Sequence, residues 1–451
     1  MRKSIIIPAV LFTAAGIASP LLMGLVAENQ FTTQLEQMSA EQTAGKASIS
    51  DVQFNRGYAQ SEASFVMTIE DPSTDLPAVS ILIESDLQHA PISISEFGLS
   101  ALEINSQDRF SLIQGPEDFI AFINDNMQGY FLTGYSRANV LGNFDSVLSS
   151  PALDFSSEAG DFNILMDSMV INTSGKLDGS VTDFDVKLPS TTIKGTEFSV
   201  NVASVTAIGD RYTDTSGVEL GKTLMEVAQV SVVSAMGGAE IKNITLSAVS
   251  DLVGDKIDTN VHYNVESIVA PLPVSSASYH VDFNGLSVAS AQLVQDLQKH
   301  LNEMEANPES ADQFFNQLIS ATLQPGLQIN QELKANAFGG DWVADLDVEY
   351  TGIEGVELAA MKDPKVAVQG IAATLVITAD NAALLRTPLA PMLDGLLQQG
   401  FITLDNTNLT TAAYLNAGKL TINEVEMPVD SIIDAILLKL AQSQQEEVAV
   451  N

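Results

Sequence analysis

The sequence predicts a mainly β protein with some helix. The expected form is an elongated, curved antiparallel sheet, with a helical hairpin and late amphipathic helices packed on it and an N-terminal membrane helix before it. Three observations predict it. Apolar residues recur with period two through most of the chain, stripes of helical period are confined to a few late segments, and one long uncharged run stands near the start. With 451 residues, 45% of them hydrophobic, a substantial core can be buried and global disorder is excluded.

Arg2 and Lys3 precede an uncharged run from Ile5 to Ala27, and Glu28, Glu36 and Glu41 follow it. A bilayer takes roughly 20 apolar residues, so the run is long enough to span one. The basic residues at its head keep that end in the cytoplasm and send the rest across. Residues 1–27 are read as an uncleaved signal anchor. The alternative is a cleaved signal peptide, with Gly16 and Ala18 as the small residues before a cut at Ser19; both export the bulk of the chain. Residues 28–45 place Phe31, Leu35 and Met38 on one helical face and read as a juxtamembrane stalk.

Residues 46–286 read as antiparallel β structure. Phe65, Met67 and Ile69 alternate with Val66 and Thr68; Phe184, Val186 and Leu188 alternate with Asp183, Asp185 and Lys187. Phe198, Val200 and Val202, then Val261, Tyr263 and Val265, then Tyr279, Val281 and Phe283 repeat the pattern. Strands with one apolar and one polar face build an antiparallel sheet wetted on one side. Residues 287–324 read as a helical hairpin. Leu293, Leu297, Leu301 and Met304 stripe its first helix, and a capping box of Ser310 and Gln313 opens the second ahead of Phe314, Phe315, Leu318 and Ile319. Residues 325–451 return to strand, with Trp342, Ala344, Leu346, Val348 and Tyr350 alternating with Asp345, Asp347 and Glu349. They then give a Leu-rich stretch around Leu384–Leu397, interrupted by Pro388 and Pro391, and a last helix after Pro428.

Charge and residue usage exclude several chemistries. Twenty basic residues stand against 57 acidic ones, a net charge of −37, which repels phosphate backbones and argues against nucleic acid as a partner. The absence of cysteine removes disulfides, thiolate metal sites and cysteine nucleophiles. The four histidines, His89, His262, His280 and His300, show no metal-ligand spacing. The stretch Asn172–Lys176 ends like a phosphate-binding loop but has Val170 where the first glycine belongs. Asp345, Asp347 and Glu349 begin like a calcium loop, but Tyr350 replaces the turn glycine and Val356 the bidentate glutamate. No catalytic residue, metal or cofactor is therefore assigned, and the chain is read as a non-enzyme; an unrecognised hydrolase is the residual alternative.

A short set of landmarks resembles a known family. Phe54, Arg56, Gly57 and Ser61 match an aromatic-x-Arg-Gly-x-x-x-Ser pattern. His89, Ala90 and Pro91 match a His-Gly-Pro element after the third strand, with alanine in place of glycine. Near the C-terminus Tyr414, Gly418, Leu420, Thr421 and Asn423 fall in register with a closing segment. Together with the anchor and the order of β body and helical insertion, these resemble the YdgA-like family (domain of unknown function 945) of Gram-negative bacteria. The resemblance implies a protein anchored in the bacterial inner membrane and facing the periplasm. It implies self-association, as among its relatives, and no assigned catalytic chemistry; a homodimer is the expected form.

Two roles for the motif residues follow. Gly57 marks a bend and Arg56 meets a neighbouring carboxylate; or Arg56 and His89 converge on an anionic headgroup or a partner peptide. The many one-sided strands and few helices predict a sheet face left open. A lipid or hydrophobic peptide is expected to occupy it, or a second copy of the chain.

Overall fold

The structure, a computed structural model, describes residues 25, 27–29, 31–32, 47–70, 78–89, 92–95, 98–101, 103–115, 117–127, 129–139, 141–157, 162–235, 237–270, 273–295, 308–356, 363–435 and 437–439. It is mainly β, built on large antiparallel sheet with few helices. The chain divides into two compact units, Met1–Val227 with Asp296–Ala311, and Ala228–Gln295 with Asp312–Asn451.

The first unit begins with β1 (Ala47–Arg56), β2 (Gln60–Ile69) and β3 (Val79–Gln88), and a separate ribbon of β4 (Ile92–Ser95) and β5 (Gly98–Ala101) follows. β6 (Glu103–Gln114) leads through helix α1 (Glu117–Asn126) to β7 (Leu132–Asn139) and β8 (Asn143–Ser149). Then come β9 (Leu153–Ser156), β10 (Phe162–Met166), β11 (Val170–Lys176), β12 (Val181–Gly195) and β13 (Phe198–Thr213). β14 (Glu219–Ser234) contains the division between the units. Pairing runs β1-β2-β3-β6-β7-β8-β11-β12-β13, antiparallel throughout. β10 lies beyond β11 along β12 and carries β9 on its other side. This is the expected meander, because period-two sequences joined by short turns pair with their chain neighbours.

Helix α1 is absent from the sequence reading. Its signal is brief: Pro116 ahead of the first turn, then Ile120 and Ile123 on one face, with Ile123 buried and Phe122 edge-on to Phe155 at 4.9 Å.

The second unit continues with β15 (Gly237–Val253), β16 (Lys256–Val269) and β17 (Val274–Ser287). Helical residues 288–295 and helix α2 (Pro308–Thr322) come next; residues 296–307, with His300, lie outside the described residues. Pro308 opens α2, so Ser310 sits inside the first turn and not at the expected cap, since proline is preorganised for that first position. β18 (Leu327–Ala337), β19 (Gly340–Tyr350), α3 (Pro364–Ala367), β20 (Ile371–Asp380), α4 (Asn381–Leu384) and α5 (Leu393–Gln398) precede β21 (Thr403–Asp405), β22 (Asn408–Asn416), β23 (Lys419–Ile422) and β24 (Val425–Met427). Their order is β15-β16-β17-β18-β19-β20-β22-β23-β24, with β21 beside β22.

Register places Tyr263, Tyr279, Leu333, Ala344 and Ile377 in one row across five strands. Residues two along in each strand share that face. One end of it is covered by a cluster of Ala379, Leu384, Leu393 and Leu409 with Trp342, Leu397 and Ile402. Towards the other end Ile257, Leu327, Ala291 and Phe314 are buried, and Ser287 Oγ donates to Ala321 O at 2.8 Å.

Of the expected membrane span, residues 1–24 lie outside the described residues. No helix among the described residues is long and apolar enough to cross a membrane, so the structure lends the membrane helix no support.

Candidate functional site

The motif stretch forms the turn between β1 and β2. Arg56 and Ser61 are the last paired residues, and within the turn Gly57 N–H donates to Gln60 O at 2.9 Å. A Cβ on Gly57 would stand 2.3 Å from that carbonyl oxygen, so the turn closes only around glycine. His89, just past β3, is drawn onto the same turn. Its N–H donates to Ala59 O at 3.0 Å, and its Nε2 lies 2.8 Å from Ser61 Oγ. His89 is 0% exposed and Ser61 3%. Pro91 and Ala90 lie outside the described residues.

Arg56 meets the carboxylate that the sequence led us to expect: its Nη1 is 2.9 Å from Glu28 Oε2. Both side chains are about two-fifths exposed, and pairs of that kind contribute roughly 0.2–1 kcal/mol. Around them, Ala27 is buried against Ile104 with Phe54 and Leu87 alongside. The Phe31 ring lies 5.6 Å from Phe54 and 6.1 Å from Phe65. The start of the stalk therefore rests on the sheet of the first unit.

Two cavities border this region. One of about 1160 Å³ is lined by Arg56, Tyr58, Ser61, Glu62, Asp86 and Gln107, among others. Its floor is polar, and Arg109 pairs with Asp86 beside it. The second, of about 510 Å³, has Phe31, Phe65, Leu87, Ile104 and Phe144 in its wall, together with Asp108. Asp108 is the feature that sequence reasoning missed. Ser85 Oγ donates to its Oδ1 at 2.7 Å, while Ser106 Oγ and Ser136 Oγ donate to Oδ2 at 3.0 and 2.9 Å. The signal was present: in β6, Ile104, Ser106, Asp108, Phe110 and Leu112 alternate on one face, so a carboxylate occupies a position the period assigns to the apolar side. Three hydroxyl donors satisfy the oxygens of that buried side chain.

Tyr414, Gly418 and Asn423 lie in the second unit. Gly418 (φ +75°) and Ala417 (φ +48°) form the two-residue turn between β22 and β23, and Asn423 (φ +44°) with Glu424 (φ +70°) forms the next. Both central residues at positive φ is the hairpin turn whose twist suits flanking strands. Asn423 is also tied to β22 twice: its N–H donates to Ala412 O, and its Oδ1 accepts from Ala412 N–H, each at 2.8 Å. Tyr414 is half exposed, beside Asp347 and Thr374. These closing-segment residues hold turns and register.

The Ser216 hydroxyl, with the amides of Val218 and Ser216, holds the Asp214 carboxyl below the usual aspartate range, and Ser180 does the same for Asp178. Asp434 raises Lys365. All three groups are at the surface. Among the described residues no group of three or more His, Cys, Asp or Glu could hold a metal ion. The calcium-like trio Asp345, Asp347 and Glu349 lies in β19, as strand alternation requires. His262 and His280 prove to be direct partners across β16 and β17.

The Ser61–His89 pair has the groups of a hydroxyl nucleophile and its base, but both are closed off from solvent. The architecture here is a turn locked to a strand end.

The family model described as bacterial protein of unknown function (DUF945) matches residues 1–430, and the chain belongs to that family. No curated protein and no solved structure matches it.

Proposed function

From membership of this family, we propose a non-catalytic envelope protein, held in the bacterial inner membrane by residues 5–27 with its bulk facing the periplasm. It binds a lipid acyl chain on the apolar sheet face of its second unit. The observation that carries this reading is the uncovered row between the two helical covers. Tyr263, Leu333 and Ile377 are 49%, 47% and 38% exposed, although they stand in line on the face whose ends are buried. Strands about 4.8 Å apart make the five-strand row roughly 20 Å long, comparable with a long acyl chain. The row runs across the strands. A hydrophobic peptide laid along it would press unpaired backbone N–H and C=O groups on apolar side chains, an unfavourable burial. An acyl chain has no such groups.

The test is native mass spectrometry of the full chain extracted in mild detergent, with displacement of a fluorescent fatty acid. A mass excess of one lipid, lost in Leu333→Lys with Ile377→Lys, is the expected result. A dimer with nothing bound replaces the acyl reading with the homodimer alternative, the second copy closing the face. A second reading, the unrecognised hydrolase, draws on the 2.8 Å Ser61–His89 pair. Labelling by a fluorophosphonate that Ser61→Ala abolishes would select it.

A further inference from the structure

We propose that His262 and His280 form a binding site for a divalent cation of the zinc or copper class. The site lies on the face opposite the apolar row, since His262 and Tyr263 point to opposite sides of β16. Register sets Ser247, His262, His280, Glu332 and Asp345 side by side on five successive strands. The two imidazoles are tilted at 61° with centroids 5.6 Å apart, and their Nδ1 atoms are separated by 3.4 Å. Two nitrogens bound to one tetrahedral zinc at about 2.0–2.1 Å stand about 3.3–3.4 Å apart. A cation can therefore enter between the rings, the proton on one Nδ1 passing through solvent to that ring's Nε2, while the backbone stays in place.

The surrounding groups prepare this arrangement. His280 Nε2 lies 3.0 Å from Asp282 Oδ2. Nε2 also lies 3.1 Å from Asn260 Nδ2, which only donates; in the tautomer that donates to the carboxylate, Nε2 carries the proton and Nδ1 presents its lone pair towards His262. A carboxylate behind the imidazole is the arrangement that orients metal-bound histidines. Asp282 is itself fixed by Asn260 Nδ2 on its other oxygen. The His280 side chain is one-third exposed, so a hydrated ion can reach it. Glu332 of the next strand is paired with Lys334 at 2.7 Å, so the two imidazoles are the protein ligands and water completes the shell. Two nitrogen ligands favour zinc or copper over magnesium and calcium, which take oxygen. The net charge of −37 raises the local cation concentration.

The experiment is a calorimetric zinc titration of the chelator-stripped full chain in mild detergent, with excess magnesium present to occupy surface carboxylates. One saturable zinc per chain is expected, weakened more than tenfold in His262→Asn and in His280→Asn. Asp282→Asn should weaken it about 10–100-fold, the usual effect of removing such a supporting group. X-ray absorption at the zinc edge of the wild-type complex should show two imidazole nitrogens, a readout that does not depend on the variants folding. Absence of saturable binding, unchanged binding in the double histidine variant, competition by magnesium at equal strength, or an all-oxygen shell would each overturn the proposal.

Discussion

Replacing Gly57 by alanine tests the reading of the opening motif as a turn built on close approach. The added Cβ would lie 2.3 Å from Gln60 O, and ordinary contact requires the two to part by about 1 Å. The only atoms that can yield are backbone, and the same turn holds the Gly57–Gln60 bond of 2.9 Å and the His89–Ala59 bond of 3.0 Å. Overpacking of this kind costs about 1–3 kcal/mol, and loosening one hydrogen bond adds about 0.5–1.5 kcal/mol. The stiffer unfolded chain of the variant returns about 0.4–1 kcal/mol. The net expectation is a loss of about 2 kcal/mol. For a unit of this size each kcal/mol moves Tm by roughly 2–4 °C, so the fall should be about 4–8 °C. Calorimetric melting of the full chain in mild detergent reads it, and hydrogen exchange should quicken at the His89 amide. Arg56→Ala is the control; it removes only an exposed ion pair and should shift stability by less than about 1 kcal/mol. A Gly57→Ala variant as stable as the wild type would overturn the close-approach argument.

Other expectations concern separate parts of the molecule. Leu333→Lys with Ile377→Lys should abolish fatty-acid displacement while costing about 1 kcal/mol or less per site, as these side chains are 47% and 38% exposed; a large loss of Tm would mean the row is covered. Asn423→Gly keeps the positive φ but removes the acceptor for Ala412 N–H, so it should cost about 1–3 kcal/mol in denaturant unfolding. Asp214 has a folded pKa below its unfolded one, so its contribution is present above the unfolded value and fades as pH falls through the folded value. Ser216→Ala should move its carboxyl titration, followed by carbon NMR, upward; no movement would show that the hydroxyl is not the cause.

The sequence determined what depends on neighbours along the chain. Period-two alternation at Phe65–Ile69, Phe184–Leu188 and Tyr279–Phe283 specifies strand, although in the first segment Val66 is the buried residue and Ile69 is exposed. All three segments lie in β2, β12 and β17. Turn chemistry was readable at Gly57, where the backbone itself makes the demand; Gly418 stood out only as a family landmark, and its turn appears in the structure. The family was legible for the same reason, since its landmarks are turns and strand ends with fixed local requirements. Helix α1 escaped because its large apolar residues, Phe119, Ile120, Phe122 and Ile123, crowd into little more than one turn, too short a stretch to show a period, and only burial of Ile123 gives it weight.

Tertiary structure alone decided which distant residues meet. His262 and His280 stand 18 positions apart, Ser61 and His89 stand 28 apart, and Ser85, Ser106 and Ser136 gather on Asp108 from three strands. Such meetings are fixed by register, which is a sum over whole ladders and the turns between them. A shift of one residue in β17 would turn His280 to the opposite face and separate the pair, although every local pattern in the sequence would read the same.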